Sequence, residues 1–232
     1  MDATEVTGTI NGSTITPSTA PAGLTGKVVV NAGGSVNYTP AQVANGAYFL
    51  NCCGSNSAYY KFTGAALGNV FNVNQGQITF YLKSRYSFSN RVTQAPQPRY
   101  AFDVRDGDVN NHLFYFFTQV SYANNEPYLV FTWRSGNGPV NGYLSYFLWV
   151  DQSQADALFG NGVILKVTIK WNGSSNQLYF NNVLVATIPL YSPATPNWTA
   201  ASNFDVGAFE YQTYGGYNAS DDVIDEFTVL PQ

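Results

Sequence analysis

The feature that most constrains this chain is a two-residue hydrophobic period, repeated in short runs from residue 76 to residue 230. In "QGQITFYLKSRYSF", Ile78, Phe80 and Leu82 alternate with Thr79, Tyr81, Lys83 and Arg85. In "RYAFDVRD", Tyr100, Phe102 and Val104 alternate with Asp103 and Arg105. The runs "HLFYFFTQV", "PYLVFTWR", "GYLSYFLWV", "VILKVTIKW", "QLYFNNVLVATI", "SNFDVGAFEY" and "DVIDEFTVL" follow, separated by Gly, Asn and Pro. Successive side chains of a strand point to opposite faces, so each run buries one face and turns the other to solvent or a groove. Helical periodicity is confined to "QSQADALF", Gln152 to Phe159, a turn or two long. Many short strands with turn signals between them predict an all-β fold, a two-sheet antiparallel β-sandwich of the jelly-roll type.

The chain of 232 residues is long enough for one large all-β domain spanning 1-232. Charged residues are 10% of it and aromatics 16%, with Asn, Gly, Ser and Thr supplying the polar surface. This composition suits a secreted or cell-surface protein. A net charge of −4 argues against nucleic acid, which is bound through basic patches. No run is long and apolar enough for a membrane-spanning helix. Met1 is followed at once by Asp2-Ala3-Thr4, which reads as a start added to a mature secreted chain. Asn-x-Ser/Thr sequons at Asn11, Asn37, Asn172, Asn197 and Asn218 read as chance in so Asn-rich a chain.

Residues 1–40 differ from the rest, being rich in Thr, Gly and Pro. They read either as edge strands with an Asn11-Gly12 turn or as a linker-like extension. Residues 87–100, "SFSNRVTQAPQPRY", read as a long loop, a length that usually serves a site.

The segment "VILKVTIKWNGSSNQLYFNNVLVATIPL" sets Leu165, Val167, Ile169 and Trp171 inward, then turns through Asn-Gly into a second strand and through Asn181-Asn182 into a third. It resembles the centre of laminin-G-like domains of the concanavalin A-like lectin-glucanase superfamily, where a strand ending in Trp leads to a strand of the form L-x-x-Y-x-N-G-x-x-V. Asn182 stands where that family has Gly, and Asn tolerates the left-handed turn. "AYYKFTG" at 58–64 is similar to the family's opening strand, and "FDVGAFEYQTYGGYNASDDVIDEFTVL" to its close. The resemblance covers about residues 45–231. It implies two stacked antiparallel sheets, one concave, and says little about function, since the superfamily holds lectins, glycosidases, lyases and adhesion modules.

Catalytic signatures are missing from the sequence. Retaining glycosidases need paired carboxylates about 5 Å apart, and laminarinase-type relatives carry them on one strand. The four glutamates, Glu5, Glu126, Glu210 and Glu226, have no such neighbourhood. Asp225 and Glu226 are adjacent, which on a strand points them to opposite faces. The lyase branch of the superfamily uses a His with Tyr, Gln and Arg; His112 is the single His and reads as a surface or capping residue beside a turn. The chain therefore reads as non-catalytic.

Carbohydrate sites on sandwiches use exposed aromatics for stacking and amide, carboxylate and Arg groups for hydroxyls. Candidates on the outward faces of the middle strands are Tyr81, Arg85, Asp103, Arg105, Thr132 and Arg134; candidates on loops are Trp198, Tyr211, Tyr214 and Tyr217. Trp133, Trp149 and Trp171 read as core. Calcium needs several hard oxygens. Asp221, Asp222 and Asp225 offer one cluster for a structural Ca2+, and Asp106, Asp108 and Asn110 in "DVRDGDVNN" read better as a hairpin turn.

Cys52 and Cys53 are the two cysteines of the chain and stand side by side. Two thiols, a strained vicinal disulfide and links to another chain all remain open. In a secreted protein thiols tend to oxidise, and Gly54 with Asn51 and Ser55 suits a tight turn, so the vicinal disulfide is the preferred expectation. The sequence thus leads to a secreted, lectin-like module for a glycan or polysaccharide. The alternatives are a structural or self-assembling surface module with a protein partner, and a glycan-cleaving enzyme with an atypical site.

Overall fold

Period-two alternation is realised as two stacked antiparallel sheets with a shared aromatic core. In spatial order, sheet I comprises β1 (Thr14–Ile15), β2 (Gly26–Val30), β5 (Ala58–Thr63), β14 (Asn203–Val206), β7 (Arg99–Arg105), β8 (His112–Ala123), β9 (Glu126–Ser135) and β10 (Tyr146–Val150). Sheet II comprises β13 (Val183–Pro189), β12 (Ser175–Phe180), β11 (Ile164–Trp171), β6 (Gly76–Lys83), β17 (Val223–Leu230), β4 (Ala47–Leu50) and β3 (Ser35–Tyr38). A short hairpin joins β15 (Glu210–Tyr211) to β16 (Gly216–Tyr217). The computed structural model describes residues 14–15, 24–30, 35–38, 47–50, 58–94, 96–108, 111–136, 146–160, 162–189, 194–208, 210–211, 216–217 and 222–230.

The core follows from the inward half of each alternation. Phe80 on β6 is fully buried and meets the rings of Phe102, Phe116 and Phe227 at 5.3–5.7 Å, so one side chain joins both sheets. Offset and edge-to-face contacts at this separation suit the ring quadrupoles. Trp133 and Trp171 are core, as the sequence predicts. Gly76 sits where any Cβ would strike the Trp171 indole, so the start of β6 needs glycine. Two-residue turns of left-handed asparagines close two hairpins: Asn124-Asn125 between β8 and β9, and Asn181-Asn182 between β12 and β13. Asn tolerates this region better than other residues with a Cβ.

The N-terminal strands sit at the edges, β1 and β2 on sheet I and β3 with β4 on sheet II. The Asn11-Gly12 turn lies outside the described residues. The 87–100 segment is not all loop. It carries α1 (Phe88–Gln94), whose Phe88 and Arg91 are buried. Arg91 Nη2 donates to Thr118 Oγ1 at 2.9 Å and Nη1 lies 3.5 Å from Asp222 Oδ2, which pins the helix across one end of the sandwich. The expected second helix, α2 (Gln152–Phe159), is present, with Asp151 and Gln154 forming a capping box.

Candidate functional site

The outer face of sheet I is built by cross-strand rows. In one row Lys61, Asp205, Asp103, Tyr115 and Arg134 follow each other across β5, β14, β7, β8 and β9. Arg105 reaches Asp103 with Nε at 3.3 Å and Asp205 with Nη2 at 3.4 Å. Asn203 Nδ2 donates to Asp205 at 2.9 Å, and His112 Nδ1 stands 2.8 Å from Asp103 Oδ1. These charges are covered, with Asp103 0% and Arg105 1% exposed. Burial holds the Arg134 guanidinium below the usual arginine value, partly offset by Tyr115, Tyr146 and Asp103. Asp103 and Asp205 are direct cross-strand partners, yet each is bound to the same guanidinium and neither reaches solvent. His112 is a partner of that network with a side chain 17% exposed, not a loose surface residue.

One accessible part of this face lies at its β8–β10 end. A bulge on β7 between Tyr100 and Phe102 turns Tyr100 outward, against the simple alternation, and lays its ring 4.5 Å from that of Phe117. Phe117, Thr132 and Phe147 form one row across β8, β9 and β10, and Gln119, Val130 and Trp149 form the next. Phe147 is 52% and Trp149 46% exposed, and Tyr128 packs edge-on to Trp149 at 5.8 Å. Val130 and Thr132 stand between these rings and are fully buried. Among the described residues the Thr132 hydroxyl, buried there, has no hydrogen-bond partner. Such a group costs free energy unless something satisfies it.

The sequence candidates are therefore divided. Asp103, Arg105, Thr132 and Arg134 share the outer face of sheet I. Tyr81 lies on the outer face of sheet II, opposite Lys166 and Asp225. Arg85 follows β6, exposed, with its guanidinium 5.9 Å from the Tyr86 ring. Trp198 is half-buried against the core cluster, with its indole over Gly68. Tyr211 and Tyr217 belong to the backbone pairing of β15 and β16; Tyr214, Asp221, Cys52 and Cys53 lie outside the described residues. Asp222 is paired with Arg91, and Asp225 Oδ1 accepts the Glu226 N–H at 2.8 Å within a bulge where Glu226 has φ 47°. Among the described residues no three His, Cys, Asp or Glu side chains gather as a metal site. Asp106 accepts from Asp108 N, Asn111 Nδ2 and Asn197 N, as the organiser of a turn.

Trp149 corrects an expectation of core burial, and Phe147 was missed. Both follow from register, since Tyr146, Leu148 and Val150 pair with inward residues of β9 and force 147 and 149 outward. In "YFLWV" both alternating sets are apolar, so the residues alone do not say which faces solvent.

No protein-family model matches the chain, and no curated protein matches it. Solved structures do resemble it. The binding domain of botulinum neurotoxin DC, solved with rat synaptotagmin II, aligns over 98% of this chain at 17% identity with a TM-score of 0.59. The serotype C1 binding domain aligns over 96% at 16% identity with a TM-score of 0.58. The chain spans about half, 48%, of each of those chains. Domain 4 of AbnA, an extracellular arabinanase of Geobacillus stearothermophilus solved with arabinotriose, aligns over 88% of this chain and 81% of its own, at 13% identity and a TM-score of 0.50. At these identities the likeness is one of fold, a jelly-roll-like β-sandwich.

Proposed function

We propose that this chain is a non-catalytic, lectin-like module that binds glycan on the outer face of sheet I, at a secreted or cell-surface location. The observation that carries the reading is the pair Phe147 and Trp149, half-exposed on β10, with Tyr128 packed edge-on to the indole. Stacking rings bind the apolar faces of sugars, and a few fixed polar groups orient them. Gln119 and Ser121 stand on the same side of β8 as Phe117, with Gln119 Nε2 donating to Ser121 Oγ at 3.4 Å, and supply amide and hydroxyl groups beside the rings. Asp103, Arg105 and Arg134 then act as buried supports that fix Tyr115 and the strand register. Neighbours of the same fold, a toxin binding domain and an arabinanase domain solved with arabinotriose, are compatible with this reading.

The test is a glycan array with insoluble-polysaccharide pull-down, run with calcium and with chelator. Saturable binding lost in Trp149→Ala, with unchanged unfolding, supports the reading. Loss with chelator alone adds a metal to it. Absence of binding to every glycan in both conditions sinks it, and release of sugar fragments from any bound polysaccharide makes the chain an enzyme instead.

A further inference from the structure

The outer face of sheet II carries a second set of rows with a different chemistry. Gln77, Lys170 and Gln177 form one row across β6, β11 and β12; Thr79, Thr168 and Tyr179 form the next; Tyr81 and Lys166 face each other in a third. Between them is a shallow polar depression of about 130 Å³. Its groups are held in place. Thr79 and Thr168 hydroxyls are 3.1 Å apart, Gln77 Nε2 donates to Thr79 Oγ1 at 3.1 Å, and the Tyr179 hydroxyl donates to Gln177 Oε1 at 2.9 Å. Lys170 Nζ lies 5.0 Å from the Tyr179 ring centre, a cation–π arrangement that fixes a flexible side chain over the groove.

The charge of this face is opposite to that of the whole. The chain has net charge −4, yet of its five lysines Lys83, Lys166 and Lys170 all lie on this one side of β6 and β11. The acidic residues on the neighbouring strand β17, Asp225 and Glu226, stand two strands from Lys166 and Lys170, and Asp225 is buried and bonded to the Glu226 amide. Lys166 and Lys170 point to the same side of one strand, about 13 Å apart at the usual rise per residue. We infer that this groove is a second carbohydrate surface, for an acidic polysaccharide whose regularly spaced carboxylates or sulfates meet Lys166 and Lys170 while its hydroxyls meet the Gln, Thr and Tyr groups between them. The groove is open and shallow, which suits an extended chain laid across the strands rather than an enclosed small molecule. The hydroxyl and amide groups of Gln77, Thr79, Thr168 and Tyr179 are among those that line it, which favours a sugar polymer over a lipid surface. This site is on the sheet opposite Trp149, so the two stand or fall separately.

The experiment is affinity electrophoresis at low salt through gels holding polygalacturonate, its fully methyl-esterified form, or dextran sulfate, with anionic phosphatidylglycerol vesicles assayed in parallel by flotation. Expected is retardation by at least one of the charged polymers and not by the methyl ester, weakened about fivefold to tenfold in the double variant Lys166→Gln/Lys170→Gln and unchanged in Trp149→Ala. The double variant Lys166→Arg/Lys170→Arg should keep it. No retardation by either charged polymer, retardation unchanged in the glutamine variant, or vesicle binding without polymer binding overturns the inference. Loss in Trp149→Ala alone also overturns it, by moving the charged polymer to the other face.

Discussion

The two outer faces of this sandwich share one origin and have opposite fates. Both are the polar half of a period-two pattern. On sheet II the outward Gln77, Thr79, Lys166, Lys170 and Gln177 stay in contact with water around a shallow groove. On sheet I the outward Asp103, Arg105 and Asp205 are buried and knit to one another, Arg134 is buried on the same face, and Phe147 and Trp149 are accessible at the β10 edge. Outward is therefore not the same as exposed. Charges taken out of water must be paired, and the pairing on sheet I is achieved by inserting β14 between β5 and β7.

The largest expected difference between the faces is in stability. Arg105→Ala leaves Asp103 and Asp205 without the guanidinium they share, and should cost about 3–5 kcal/mol in urea unfolding. Lys170→Gln on the other face should stay within about 0.5 kcal/mol of wild type. A cost below about 1 kcal/mol for Arg105→Ala would show that the sheet I network is not a buried one.

Next in size is binding. Trp149→Ala should weaken neutral-glycan affinity by about 2 kcal/mol, roughly thirtyfold, as for a stacking anchor, with little change in unfolding. Equal loss of binding and stability would make Trp149 a structural residue.

Smaller again is Thr132→Val, which removes a buried hydroxyl that has no partner among the described residues. It should leave stability unchanged or raise it by up to about 1 kcal/mol. A clear loss of stability would mean the hydroxyl is satisfied within the protein.

The smallest effect is at the α2 cap. The Gln154 amide and Ser153 hydroxyl hold the Asp151 carboxyl below its usual value. Its contribution is therefore present above the ordinary carboxylate range and is lost as pH falls through the lowered one. Asp151→Ala should lower Tm slightly at neutral pH, and the gap from wild type should close at low pH. A gap that widens on acidification would contradict the cap.

Much of the fold was legible because local chemistry and global packing agree. The alternation of Ile78, Phe80 and Leu82 with Thr79 and Tyr81, the Asn181-Asn182 turn and the capped α2 each signal their structure within a few residues. What was not legible depends on distant partners. Helix α1 has no helical pattern of its own and is held by Arg91 reaching Thr118 and Asp222. Tyr100 faces outward because of a bulge set by β8. Asp103 and Arg105 are buried because Asp205, a hundred residues from Arg105, arrives beside them. The exposed aromatic pair is the hardest case, since Phe147 and Trp149 differ from their neighbours only by the register of β10 on β9.

The central claim is that neutral glycan meets the aromatic face of sheet I and not the polar face of sheet II. Hydroxyl-radical footprinting with and without the tightest neutral glycan from the array tests it most directly. Protection of Trp149, Phe147 and Tyr128, with Tyr81 and Tyr179 unchanged, is the predicted result. Protection of Tyr81 and Tyr179 with Trp149 still reactive would contradict it.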